Sequence, residues 1–143
     1  MKGFLTKKRY QCATVYVDHY SNLSYVHIQK STNGDETLLG KRQFEAYCAS
    51  HGVKIKSYHA DNGRFAENKF VADITACGQT ITYCGAYAHF QNGIAEKRIR
   101  DLQDLARTMM IHARHRWPQA IEANLWPYAL KMANDVHLSS PSL

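Results

Sequence analysis

Between residues 93 and 116, the side chains of Ile94, Ile99, Leu102, Leu105, Ala106, Met109, Met110 and Ala113 recur at three- and four-residue spacing. That period belongs to a long helix with one apolar face. Such a face has to be buried, so the chain must supply a layer to pack against it. At 143 residues with 45% hydrophobic content, one domain with a real core is within reach.

The layer is written upstream. Residues 11–30 hold two β-rich runs, one with Val15 and Val17 about Tyr16, the other with Tyr25, Val26, His27 and Ile28. Ser21-Asn22-Leu23-Ser24 joins them as the turn of an antiparallel hairpin. Over 35–50, Leu38, Leu39, Phe44, Tyr47 and Cys48 return to helical spacing, and His51-Gly52 stops that helix. Residues 53–60, VKIKSYHA, alternate apolar and basic side chains and follow a helix, which predicts a parallel strand. A second helix is predicted over 66–77, a short strand over 80–84 and a loop over 85–93. After the long helix, Trp117-Pro118 breaks the pattern, with Pro118 in the first turn of a last helix over 118–137. The order predicts a mixed α/β layer fold.

Net charge is +6 and the pI about 9.2, a balance that leans toward a polyanionic partner such as nucleic acid. No apolar run has membrane-span length, and the basic start MKGFLTKKRY has no apolar core of a secretory signal. Cys12, Cys48, Cys77 and Cys84 form no CxxC pair and read as reduced thiols of an intracellular protein. His112 and His115 sit three apart with no cysteine pair beside them, a poor zinc pattern.

Two acids stand out by position. Asp61 closes the third strand, in YHADNGRF, and Glu96 falls in the first turn of the long helix, 35 positions later. Converging, they would make a hard-oxygen site for Mg²⁺ or Mn²⁺, able to serve phosphoryl transfer. An Asp before Asn-Gly is also an ordinary turn, and a Glu suits a helix N-terminus by its dipole alone. After Glu96, Lys97, Arg98, Arg100, Arg107, Arg114 and Arg116 against Glu96, Asp101 and Asp104 leave +3 over 93–116. Such a helix can hold a nucleic-acid strand by its phosphates, or be a solvated face laced with ion pairs.

With these residues in hand, the chain resembles the catalytic core of retroviral-type integrases, in the version found in copia-type LTR retrotransposon polyproteins. VYVDHYSNLSYVHI, YHADNGRF, FQNGIAEKRIRDLQDLARTM and LWPYALKMANDVH carry the resemblance, in the family's order and over nearly the whole chain. It implies an RNase H-like mixed sheet flanked by helices, and an Asp-Asp-Glu triad with two divalent ions. Asp61 would be the second acid and Glu96 the third. Asn62 and Gly63 would shape the loop beside the metal. Gln91, Asn92 and Gly93 would meet the DNA end, and Lys97, Arg98 and Arg100 would contact DNA. The implied partners are element ends, target DNA and a second copy of the chain in a homodimer or higher oligomer, without a membrane; the implied compartment is the nucleus.

The resemblance also implies that residues 1–143 are a core incomplete at the N-terminus, and that family members continue past the C-terminus as well. The family's first strand and first Asp belong before residue 1, and no Asp or Glu precedes Asp18. Asp18 matches a different family position, as a minor candidate to substitute. Arg64-Phe65 stands where the family usually has Gly-Glu-Phe. In its intact form the core would process DNA 3′ ends and join them to target DNA; this chain is expected to be inactive or nearly so. A non-catalytic nucleic-acid-binding or assembly module derived from an integrase is the alternative. A nuclease of RNA–DNA hybrids would need another acid near Asp61, with only Asp73 and Glu67 on offer.

Overall fold

The computed structural model describes residues 10–61, 63–84 and 93–139, apart from the Arg64 side chain. The chain is mixed α/β: strands β1 (Cys12–Val17) and β2 (Ser24–Gln29), helix α1 (Gly34–Ser50), strand β3 (Ser57–Ala60), helix α2 (Asn68–Ala76), strand β4 (Thr80–Tyr83), and helices α3 (Gly93–Arg116) and α4 (Trp126–Ser139). Among the described residues the strands pair two and two, β1 with β2 antiparallel and β3 with β4 parallel. The chain divides into two compact units, Met1–Lys30 with Ile94–Leu143, and Ser31–Gly93.

In the first unit, Ala13 pairs with Ile28 and Val15 with Val26 across the hairpin. This apolar face packs with Leu102 and Ala106 of α3 and Leu130 and Ala133 of α4, with Leu105, Met109, Trp126 and Ala129 around them. The helical stripe read from the sequence is thus the core face, although Ile94 at its start is half exposed. A buried polar clasp joins β2 to α4: Ser24 Oγ donates to Asn134 Oδ1, and Asn134 Nδ2 donates to the Ser24 carbonyl at 3.0 Å. The hairpin turn is wider than Ser21–Ser24, with Asn22 N–H bonding the Asp18 carbonyl at 2.8 Å and Asp18 N–H bonding that of Leu23 at 2.8 Å.

In the second unit, α1 begins at an Asn33 cap whose side chain accepts from the Glu36 N–H at 2.9 Å. It ends as read, at His51-Gly52. Phe44, Cys48, Phe70 and Ile74 are buried, and Phe70 meets Tyr58 and Phe65 edge to face. The crossover from β3 through α2 to a parallel β4 follows the predicted order.

Three boundaries differ. β3 keeps only the last four of residues 53–60, with Val53 half exposed. A 3-10 turn over Arg64–Ala66 delays α2 to Asn68. The last helix starts at Trp126 rather than Pro118, after a 3-10 turn at Ala123–Leu125. Pro127, not Pro118, holds the first-turn position where a missing N–H costs nothing.

Candidate metal and nucleic-acid site

Asp61 follows directly on the last residue of β3. Gly63, two residues on, has φ 144°, a conformation open to glycine and strained for any L side chain. A Cβ there would meet nothing within 4 Å, so backbone conformation rather than crowding selects the glycine. Asp61 Oδ1 is buried and has no hydrogen-bond partner among the described residues. A buried carboxylate oxygen without a donor is costly, and a hard cation satisfies it. The residue therefore fits one ligand position of a Mg²⁺ or Mn²⁺ site. Among the described residues, no group of three or more His, Cys, Asp or Glu is placed to hold a metal ion.

Glu96 is half-buried in the first turn of α3, as the sequence predicts. It belongs to the first unit and Asp61 to the second. Helical periodicity puts Arg100, Arg107 and Arg114 on the face that carries Glu96, turned away from Leu102. All three arginines are exposed. Lys97 is exposed too and lies 3.7 Å from Asp101, a pair four residues apart that solvent weakens. Gly93 is the exposed first residue of α3. Asn62, Gln91 and Asn92 lie outside the described residues.

Arg98 differs from its expected place. It is buried, and its Nη2 donates to the Asn22 carbonyl at 3.1 Å and to Asn22 Oδ1 at 2.6 Å. Asn22 has φ 63°, which Asn tolerates better than most side chains. The guanidinium thus pins the hairpin turn to α3 and is directed inward rather than toward a ligand. Its Nη1 is buried without a partner among the described residues, and burial pushes its pKa down.

Asp18 is a turn residue. Its Oδ2 accepts from Ser21 N–H at 2.9 Å and from Ser21 Oγ at 2.5 Å, and these bonds hold its pKa below the usual carboxylate value. Asp73, one of the acids a hybrid-cutting nuclease would need, is engaged by Lys41 at 2.6 Å and Arg42 at 3.3 Å. The cysteines are thiols, with Cys77 exposed and the rest buried.

Sequence reading missed His59 and Cys84, which the β3–β4 pairing brings together. Cys84 Sγ lies 3.5 Å from His59 Nε2, and His59 Nδ1 lies 2.8 Å from Thr82 Oγ1. The available signal was a histidine two places before Asp61. The parallel register that sets Thr82 opposite His59 cannot be read from either strand alone.

No protein-family model and no curated protein matches the sequence. By structure, the chain is similar to a chain of the simian T-cell lymphotropic virus intasome, with TM-score 0.73 and 19% identity over 99% of this chain and 47% of that one. It therefore spans about half the length of that relative. The HTLV-2 integrase catalytic core domain, in a dimeric form with magnesium, aligns with TM-score 0.69 and 17% identity over 99% of this chain and 84% of that one. The BIV integrase catalytic core aligns with TM-score 0.62 and 19% identity, over 90% of this chain and 76% of that one. At this identity the likeness speaks for architecture, and the architecture is that of the retroviral integrase catalytic core.

Proposed function

We propose that this chain is an integrase-type module of DNA integration, of copia-type retrotransposon origin, in which Asp61 and Glu96 together hold Mg²⁺ or Mn²⁺. The observation that carries the reading is the buried Asp61 Oδ1 without a donor among the described residues, at the carboxyl end of a parallel strand. A divalent ion there would supply Lewis-acid stabilisation for attack of a water or a DNA 3′ hydroxyl on a phosphodiester. Lys97 and Arg100 hold the DNA backbone by its phosphates, and Arg107 and Arg114 extend the contact along α3. Arg98 acts indirectly, by fixing the start of α3 against the hairpin turn.

Element ends and target DNA are the proposed substrates, and the nucleus is the proposed compartment. A homodimer is supported by Tyr128, Met132 and Val136, exposed apolar residues four apart along α4. No helix among the described residues is long and apolar enough to cross a membrane.

Calorimetric titration with Mn²⁺ tests the site. Asp61→Asn and Glu96→Gln should each weaken binding at least tenfold, and wild-type affinity in both variants would remove the reading. A polypeptide of residues 1–143 holds two of the acids that the family's chemistry uses, and on its own it should bind DNA yet join ends feebly or not at all. Asp61-dependent product in a Mn²⁺ strand-transfer assay would overturn that part. Should DNA binding persist unchanged in the double variant while Mn²⁺ has no effect on the wild type, the non-catalytic module is the better description.

A further inference from the structure

The geometry points to a second, chemically distinct cation site: His59 and Cys84 form a nitrogen–sulfur pair for a soft divalent ion such as Zn²⁺ or Cd²⁺. A tetrahedral zinc ion with ordinary Zn–S and Zn–N bond lengths sets its sulfur and nitrogen ligands about 3.5 Å apart. Cys84 Sγ and His59 Nε2 already stand 3.5 Å apart, the spacing such an ion requires of its two ligands.

The histidine is oriented for this by Thr82. Thr82 Oγ1 faces the Tyr58 carbonyl at 3.5 Å and His59 Nδ1 at 2.8 Å. With the hydroxyl proton directed to the carbonyl, Oγ1 accepts from Nδ1–H, which leaves the lone pair on Nε2, the ring nitrogen beside Cys84 Sγ. A hydrogen bond from the second ring nitrogen is how metal-binding histidines are generally aimed. Cys84 is held by its own N–H, which donates to the Ala60 carbonyl at 3.0 Å. His59 is exposed while Cys84 is buried, so the ion approaches over the imidazole and completes its shell with water. On ligation the thiol proton passes to solvent. Imidazole and thiolate favour Zn²⁺ over Mg²⁺, whereas the Asp61 oxygen has the opposite preference, so the two sites sort ions by softness.

Co²⁺ titration of the full chain, with a non-coordinating reductant present, reads the site through the thiolate-to-cobalt charge-transfer band. The wild type should develop the band, with Zn²⁺ displacing it. His59→Gln, at an exposed ring, should weaken Co²⁺ binding at least tenfold, and Cys84→Ser should abolish the band. Cys77→Ser and Asp61→Asn should leave it unchanged. Absence of the band in the wild type, its persistence in Cys84→Ser, or His59→Gln affinity within twofold of wild type would overturn the proposal. So would a band lost in Asp61→Asn and kept in His59→Gln. The Asp61–Glu96 reading stands or falls separately, on the Mn²⁺ titration.

Discussion

Lys41 has no exposed side-chain surface, yet it carries its charge: Nζ lies 2.6 Å from Asp73 Oδ2 and 2.8 Å from Glu45 Oε1, above the ring of Tyr58. Burial alone would push the lysine pKa down, and the two carboxylates outweigh it to raise it. Burial likewise tends to raise Asp73 and Glu45, and Lys41 prevails to lower both. The raised lysine contributes stability that is full below its ordinary pKa and is lost as pH climbs through the folded value. The lowered carboxylates contribute above their ordinary pKa, and that share disappears as pH falls through their depressed values. Lys41→Met leaves two carboxylates facing each other without the cation and should cost about 3–5 kcal/mol. Urea denaturation at neutral pH checks this, and acidification should narrow the gap between variant and wild type. None of this was legible beforehand, because a lysine on an amphipathic helix ordinarily reads as solvated and its partners lie on another helix turn and another helix.

At the level of elements, strong periodicity was a faithful guide. α3 spans the residues its stripe marks, and Gly52 ends α1 where the sequence places the stop. The weak point was Trp117-Pro118, read as the start of a helix. Two prolines competed for that role, and only packing of Trp126, Ala129 and Leu130 against the hairpin selects the second. Of the site, Asp61 at a strand end and Glu96 in a first turn were visible as local signals. Arg98 was not, because a single residue step, about 100° around the helix axis, separates exposed Lys97 from buried Arg98, and charge alone does not say which faces in. Arg98→Ala should destabilise the protein by about 1.5–3 kcal/mol, because the charge-assisted bonds that tie the Asn22 turn to α3 are lost. DNA affinity per folded molecule should stay near wild type; a selective loss of DNA binding without loss of stability would return Arg98 to the contact surface. On α4, Met132→Glu should shift sedimentation toward the monomer if the exposed apolar row is the dimer face.

For the whole molecule, charge is organised by one helix rather than by the total. If Lys97, Arg100, Arg107 and Arg114 each neutralise a phosphate, log affinity should fall against log salt with a slope of about −3.6. Arg107→Ala should reduce that slope by about one unit, uniformly across DNA sequences, and anisotropy titrations at several salt concentrations measure it. The division of the chain carries a further consequence. Ser24 and Asn134, joined in the clasp between β2 and α4, stand 110 residues apart, while the whole second unit lies between them. During synthesis the hairpin therefore leaves the ribosome with its apolar face uncovered, and Ser31–Gly93 can finish folding before α3 and α4 exist to cover it. Until α4 emerges, that face stays open to chaperones and to aggregation.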